Sequence, residues 1–171
     1  LGTDGHREGR FERIGEVPFT SERKMMSVLL TDTAHGTVIM SKGAPDVLME
    51  HCARVRVGDA DTELTAQARA RFVEHIADMS GRALRTLGVA YRVLTDEEAA
   101  RVRRAADSDG GADLSDLERD LVLAGVVGII DPPRPEAAAA VAEAHRAGVR
   151  VLMITGDHPD TAGRIAADLG I

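Results

Sequence analysis

The sequence predicts an α+β protein in which an antiparallel sheet with helices is followed by a partial α/β domain with parallel strands. Two observations predict this class. Before residue 120, short apolar runs alternate with polar turns, which is typical of antiparallel strands. From Leu121 onward, two near-continuous apolar runs flank a strong helix, which is typical of parallel strands covered on both faces. We therefore expect two domains, 1–120 and 121–171.

Four strands are predicted in the first domain. The stretches FERIGEVPF, KMMSVLL and GTVIMSK indicate three of them, with the polar turn TDTAHG between the second and the third. Further along, LRTLGVAYRVL alternates and is rich in residues that strands favour. We expect the first three strands to form an antiparallel meander and the fourth to join the same sheet.

Two helices are predicted between the third and fourth strands. A short helix begins at Pro45, because proline suits the first turn of a helix. Its predicted apolar face comprises Val47, Leu48 and Cys52. A longer helix follows Thr65 and ends at Gly81. Apolar residues recur in it at helical spacing: Ala68, Phe72, Ile76 and Met79.

A third helix follows the fourth strand. Thr95 with Glu98 three residues later has the spacing of a capping box, so we expect a polar helix to run from there through Arg104. The next stretch, DSDGGADLSDLERD, has the composition of a loop. Within it, Ser115 and Glu118 have the spacing of a second cap.

The acidic loop invites two functional interpretations, and we reject both. A calcium-binding EF-hand loop starting at Asp107 would have Asp109 and Glu118 in place, but Gly111 and Ala112 stand where it requires an Asp or Asn and a Gly. An aspartate nucleophile of the dehalogenase type needs a buried strand before it, and the preceding RRAA is not one. A solvated acidic loop is the interpretation that we keep.

The second domain is predicted to be ordered strand, helix, strand, helix. LVLAGVVGII and VRVLMIT are the strands, PEAAAAVAEAHRAG is the helix between them, and the last helix starts near Pro159. Because such crossovers are right-handed, we expect the two strands to be parallel neighbours. Asp131 and residues 155–157 would then lie at the same carboxyl edge of the sheet, where open α/β sheets bind ligands.

Composition narrows the possible surroundings and partners. The net charge of −7 argues against nucleic acid or an anionic membrane surface as the main partner. A single cysteine, Cys52, cannot form an internal disulfide, which fits a reducing cytosolic environment. The longest apolar stretch, Leu121 to Ile130, is far shorter than the roughly 20 residues that span a bilayer, so we expect this piece not to cross a membrane.

Polar residues after the two apolar runs have a structural and a functional interpretation. Thr155, Gly156 and Asp157 offer a hydroxyl, a sharp turn and a carboxylate, which can hold a phosphate and a magnesium water shell. Alternatively, Asp157 only caps the following helix. Asp131 in DPPRP lies either in a rigid hinge or, with Arg134, near a transferring phosphoryl group. The isolated motifs leave both alternatives open.

Three residues of the first domain also have two interpretations. Lys42 ends a strand and precedes Gly43, so its ammonium can reach a phosphate or base while the backbone stays unobstructed; a lone lysine is otherwise simply solvated. Phe19 either stacks on an adenine or packs at a strand end. Arg85 either contacts phosphates or lies along the sheet surface.

Taken in order, the motifs resemble the cytoplasmic region of the P-type cation-transporting ATPases, especially the calcium-pump-like subgroup. They are PFTSERKMMSV, SKGAPDVLMEHC, GRALRTLGVAYR, GVVGIIDPPRPE and VLMITGDHPDTAGRIAADLGI. The resemblance runs from about Val17 to Ile171, with a poorly marked stretch between Asp96 and Asp120. KGAP and ERKMMSV disfavour the heavy-metal subgroup. The transported ion stays open among calcium, magnesium, sodium and manganese.

The resemblance implies a nucleotide-binding domain inserted into a phosphorylation domain of the haloacid-dehalogenase type, with ATP and Mg²⁺ as cofactors. Phe19 would stack on adenine, Lys42, followed by Gly43, would line the adenine pocket, and Arg85 would approach the nucleotide phosphates. Asp131 would lie in the hinge returning from the nucleotide domain. Thr155, Gly156 and Asp157 would lie at the phosphorylation site, in a parent protein whose transported cation binds among membrane helices.

The sequence also departs from the family pattern. Ser21 stands where the family has an arginine, which puts one phosphate contact in doubt; Arg23 and Lys24 are the candidates to replace it. The phosphorylated aspartate of DKTGT and the later TGDGxND element are absent from these residues. We therefore expect a fragment from the cytoplasmic side of a plasma- or inner-membrane pump, without a metal site of its own. It would bind ATP at most weakly and form no phosphoenzyme alone.

Two alternatives remain at this point. A freestanding phosphatase of the haloacid-dehalogenase superfamily would require a nucleophilic aspartate after a buried strand, which the sequence lacks. A non-catalytic nucleotide-sensing or interaction module would keep the motifs without the chemistry. An upstream DKTGT and apolar segments of roughly 20 residues in the same reading frame would exclude the sensing module.

Overall fold

A computed structural model describes residues 9–82, 84–106, 113–130, 133–155 and 159–171. Strands and helices are numbered separately in chain order. The elements are β1 (Phe11–Val17), β2 (Met25–Asp32), β3 (Gly36–Gly43), α1 (Pro45–Glu50), β4 (Cys52–Val57), β5 (Ala60–Glu63), α2 (Ala66–Gly81), β6 (Arg85–Val93), α3 (Asp96–Ala106), a short 3₁₀ helix (Ser115–Leu117), β7 (Leu121–Ile129), α4 (Ala137–Arg146) and α5 (Pro159–Leu169).

The strands form one mixed sheet in the order β1-β2-β3-β6-β7-β4-β5. Strands β1, β2, β3 and β6 pair antiparallel with their neighbours, so the predicted meander and its fourth strand are confirmed. Hairpin β4–β5 is antiparallel, and β4 is parallel to β7. The α+β class is therefore correct.

The core lies on one face of the meander. Alternate residues of a strand face opposite sides of a sheet, and the register partners Ser27, Ser41 and Ala90 all face the buried side. Helix α1 packs against β3 and α3 packs against β1 on this face. The helices and the 3₁₀ segment contribute apolar side chains that are fully buried: Leu48, Val102 and Leu117.

The predicted capping box at the start of α3 is confirmed. The backbone amide of Thr95 donates to Glu98 Oε2 at 3.0 Å, and the amide of Glu98 donates to Thr95 Oγ1 at 3.3 Å. Each side chain thus satisfies a backbone donor that the first helical turn leaves unpaired.

The prediction that Cys52 extends the apolar face of the short helix is wrong. Helix α1 ends at Glu50, and Cys52 is the first residue of β4. Strand β4 pairs with β7, about seventy residues away in the sequence, and Leu121 donates its amide to the carbonyl of His51 at 3.0 Å. A helical repeat read from neighbouring residues gives no information about such a distant partner.

The described residues divide into two compact units. One comprises 9–70 with 87–127, and the other comprises 71–86 with 128–171. This division follows contacts within the chain, and the domain boundary near residue 120 stays a prediction. Helix α2 confirms its predicted face, because its four apolar residues are half-buried while the rest of the helix, apart from Arg69, is exposed: Ala68, Phe72, Ile76 and Met79.

The second unit contains the predicted helices α4 and α5 but not the predicted strand between them. Residues 149–155 form no strand, and Leu152 and Ile154 are 70% and 96% exposed. Strand β7 has β4 as its parallel neighbour instead. The expected adjacent parallel strands are therefore wrong for the described residues, because an apolar run does not specify which strand it pairs with.

Crossing a bilayer requires a helix of roughly 20 mostly apolar residues, a condition that can be applied to the helices of this fold. None of those in the described part of the chain is both long and apolar enough to cross a membrane.

Candidate functional site

Phe19 lies in the connection between β1 and β2. Its side chain is 58% exposed, in a protein with three phenylalanines, one tyrosine and no tryptophan. The connection is a tight turn in which the amide of Lys24 donates to the carbonyl of Thr20 at 2.8 Å. The guanidinium of Arg23 donates to the carbonyl of Pro18 at 2.7 Å. These bonds fix the backbone on both sides of the exposed ring.

Lys42 lies near the end of β3 and points away from the core. Its register partners are Met26 on β2 and Val89 on β6, and Lys42 and Val89 are exposed. Side chains of directly opposed residues stand about 5 Å apart on one face of a sheet. The lysine ammonium therefore rises from an apolar surface of the outer face.

Gly43 brings the end of β3 unusually close to the start of β2. A Cβ atom on Gly43 would lie 2.5 Å from Met25 Cβ and 2.6 Å from the Lys24 carbonyl oxygen, so no larger residue fits without movement. The next residue, Ala44, donates its amide to that same carbonyl at 2.9 Å. These contacts attach the turn that carries Phe19 to the strand end that carries Lys42.

A buried polar network lies on the opposite face of the same strands. Glu118, whose side chain is 2% exposed, accepts from the hydroxyl of Ser27 at 2.5 Å and forms an ion pair with Arg23. The hydroxyls of Ser27 and Ser41 are 2.7 Å apart. Since Ser27 gives its single proton to Glu118, Ser41 donates to Ser27.

This role of Glu118 was not predicted from the sequence. It was predicted to form a cap with Ser115, but the 3₁₀ helix begins after Leu114 with no side-chain cap bond. Spacing along the chain suggested the cap, whereas the partners Arg23 and Ser27 come from β2 and the turn before it. A glutamate three residues before an apolar strand is the only sequence signal, and it is weak.

The structure separates the two candidates for the missing arginine. Ser21 and Lys24 are exposed, whereas Arg23 is held by Glu118 and the Pro18 carbonyl. Lys24 has a backbone φ of 52°, in the left-handed region that non-glycine residues seldom adopt. Lys24 is therefore the cation with an exposed side chain in this turn.

The other predicted site residues belong to the second unit or lie outside the described residues. Arg85 is exposed at the first position of β6, and Thr155 is exposed; both belong to the second unit. Asp131, Gly156 and Asp157 lie outside the described residues. In the parts of the chain that are described, no group of three or more His, Cys, Asp or Glu side chains is arranged to hold a metal ion.

A second charged cluster joins β6 to α3. Glu98 receives two hydrogen bonds from the guanidinium of Arg92, at 2.8 and 3.1 Å, and Arg92 also donates to the Leu117 carbonyl at 2.9 Å. The bonds from Arg92 are the main reason that the pKa of Glu98 is lowered to about 2. Because both side chains are largely buried, the pair helps to fix α3 against the sheet.

Comparison with known families decides the class of protein. The model of the cytoplasmic domain N of P-type ATPases matches residues 4–136. The chain belongs to the P-type ATPase family. The matched region of this P-type ATPase chain includes Phe19, Lys42, Arg85 and Asp131, and residues 155–157 lie beyond it.

Full-length relatives share the similarity. A calcium-transporting ATPase of Bacillus subtilis is 38% identical over 162 residues, covering 95% of this chain and 17% of that protein. Calcium-transporting ATPase 1 of Lactococcus lactis is 38% identical over 159 residues, covering 93% of this chain and 17% of that protein. P-type sodium-transporting ATPase4 of Toxoplasma gondii is 34% identical over 181 residues, covering 91% of this chain and 14% of that protein. This P-type ATPase chain thus spans 14–17% of these relatives' length.

Proposed function

We propose that this chain is the part of a P-type cation ATPase that binds ATP, at the end of the sheet where Phe19 and Lys42 lie. The observation that carries the proposal is an exposed aromatic ring held next to the strand end of an exposed lysine by Gly43 and the Lys24–Ala44 hydrogen bond.

The two side chains suit different parts of a nucleotide. Stacking of a base on an aromatic ring contributes about 1–3 kcal/mol, which Phe19 supplies without displacing any core residue. The Lys42 ammonium rises beside Val89 and Met26, so it offers charge at the edge of an apolar surface. An adenine lying on this surface would direct its phosphates toward solvent, where the exposed Lys24 adds a second positive charge.

The role of the longer protein follows from the family. We propose that the parent transfers the γ-phosphoryl of ATP to an aspartate outside this chain, with Mg²⁺ neutralising the transferred charge, and couples the step to cation transport across a membrane. Thr155, Gly156 and Asp157 would lie beside that aspartate, Arg85 would approach the phosphates, and Asp131 would lie in the hinge. Calcium is the cation in most of the relatives' names, which supports it over sodium.

A titration with ATP followed by NMR tests the site. We expect shifts at the amides of residues 19–24 and 42–44, and an affinity at least about fivefold weaker in Phe19→Ala, because the stacking energy is lost. Phe11→Ala is the matched control: Phe11 is a half-buried phenylalanine at the far end of β1. Lys42→Gln should also weaken ATP binding.

Two results would contradict the proposal. One is a folded chain whose spectrum does not change on addition of millimolar ATP. The other is a loss of affinity in Phe11→Ala as large as that in Phe19→Ala, since the effect would then follow from altered packing and not from stacking.

A further inference from the structure

Glu118 is a charged group that the proposed nucleotide chemistry does not use. It follows the 3₁₀ helix and precedes β7, yet its side chain is 2% exposed. Burying a carboxylate is costly unless charges and donors compensate it, and here one arginine and one hydroxyl do so. Its two partners connect it to the two parts of the candidate site, which are the turn that carries Phe19 and the strand that carries Lys42.

The first connection runs through Arg23 to the turn that carries Phe19. Arg23 pairs with Glu118 and also donates to the carbonyl of Pro18, the residue before Phe19. The amide of Arg23 donates to Thr20 Oγ1 at 3.2 Å, which fixes the other side of the ring. Glu118 therefore fixes the Arg23 guanidinium, which in turn fixes the backbone next to Phe19.

The second connection runs through Ser27 and Ser41 to the strand that carries Lys42. Ser41 donates to Ser27 and Ser27 donates to Glu118, so the three groups form a chain of hydrogen bonds across β2 and β3. Ser41 directly precedes Lys42, and the two side chains point to opposite faces of β3. A change at Glu118 therefore reaches the backbone of both strands.

We propose that Glu118 is a positioning residue for the nucleotide site: through Arg23 and through the Ser27–Ser41 pair, it fixes Phe19 relative to Lys42. It does not contact the nucleotide. The effect of Glu118 on ATP binding rests on the proposed function. Its effect on the turn is independent of ATP and can be measured without ATP.

The experiment compares Glu118→Gln, Arg23→Gln and the double variant in the full chain. Asp32→Asn is the matched control, because Asp32 is also a buried carboxylate paired with an arginine, Arg10, but lies at the opposite end of β2. The measurements are ATP affinity, amide hydrogen exchange of residues 20–24, and the urea midpoint of unfolding.

If Glu118 acts through Arg23, each single variant should weaken ATP binding about three- to tenfold, a smaller factor than the loss of a charged hydrogen bond to ATP itself would give, because neither residue contacts the nucleotide. The double variant should not bind ATP more weakly than the single variant with the lower affinity, because both changes break the same connection. Amide exchange at residues 20–24 should be faster than in the wild type. Asp32→Asn should lower the urea midpoint and leave ATP affinity and these amides unchanged.

The inference is overturned if Glu118→Gln lowers the midpoint while ATP affinity and the exchange of residues 20–24 match those of Asp32→Asn. If the wild-type chain binds no ATP, the proposed function fails, and amide exchange alone decides whether Glu118 positions the turn. If Glu118→Gln does not fold, Arg23→Gln supplies the same comparison, because the Arg23 side chain is 28% exposed and less critical to the core.

Discussion

Gly43 and Met25 face each other at a distance that requires glycine at position 43. A Cβ atom on the glycine would stand 2.5 Å from that of the methionine. On its other side, Gly43 pairs with Gly88, where a Cβ atom would lie 3.0 Å from Leu48 Cδ2. Gly43 thus allows the end of β3 to approach the start of β2, and Gly88 allows β6 to approach α1.

Gly43→Ala should therefore destabilise the chain and weaken nucleotide binding. Forcing a methyl group against Met25 and the Lys24 carbonyl should cost about 1–3 kcal/mol, the usual penalty for overpacking. The strands can relieve the clash only by separating, which moves Lys42 away from the Phe19 turn. Urea unfolding measures the first effect and ATP titration measures the second.

Gly81→Ala is the control for this substitution. Gly81 ends α2, and a Cβ atom there meets nothing within 4 Å. This alanine should be neutral or stabilise the chain by up to about 1 kcal/mol, because it lowers the entropy of the unfolded chain. Equal urea midpoints for the two variants would contradict the close approach of β2 and β3.

The local parts of the fold could be predicted from the sequence. The meander follows from alternation and turn residues, and the capping box follows from a spacing of three between Thr95 and Glu98. The placement of Phe19 and Lys42 at one end of the sheet also follows, because a meander brings the end of its first strand near the end of its third.

The long-range parts could not be predicted. Hairpin β4–β5 was missed although CARVRV alternates and Gly58 supplies a turn with φ of 58°. Of this stretch only Cys52 was assigned, to the helix before it. Glu118 was given a local partner, whereas its partners lie 91 and 95 residues away. For residues 149–155, hydrophobicity predicted a strand but carried no information about a neighbour to pair with.

The Arg92–Glu98 pair should make stability depend on acidic pH. The folded-state pKa of Glu98 is lowered to about 2, mainly by the hydrogen bonds from Arg92, whereas that of an unfolded glutamate is about 4.3. The stabilisation is thus complete above about pH 4.3 and is lost as pH falls through about 2, with a magnitude of about 1–3 kcal/mol. Urea unfolding between pH 2 and 7 measures it.

Two variants isolate the contribution of this pair from that of other carboxylates. Glu98→Gln should lower stability at pH 7 and remove this part of the pH dependence. Glu97→Gln, one residue earlier on the exposed side of α3, should leave both unchanged. If the stabilities of the wild type and Glu98→Gln change in parallel from pH 7 to pH 2, Arg92 does not lower the pKa of Glu98.

Cys52 should be unreactive in the folded chain. Its thiol is buried and donates to the Leu48 carbonyl at 3.2 Å, and burial raises its pKa to about 11 despite the nearby positive charge of Arg69. Since the thiolate is the reactive form, alkylation by iodoacetamide at pH 8 should be about 100-fold slower in buffer than in 8 M urea. Comparable rates in the two conditions would contradict this placement of Cys52.

Restoring the family arginine at position 21 should strengthen ATP binding. Ser21 is exposed in the turn that carries Phe19, and Arg23 is paired with Glu118. An arginine at position 21 would add a positive charge near the phosphates of an ATP bound at the proposed site. Ser21→Arg should raise ATP affinity about three- to tenfold at low salt, with a smaller gain at high salt because screening weakens exposed charges. Ser21→Gln, of similar length without charge, is the control, and adenosine, without phosphates, is the control ligand. A gain for adenosine as large as that for ATP would mean that the new side chain contacts the base and not the phosphates.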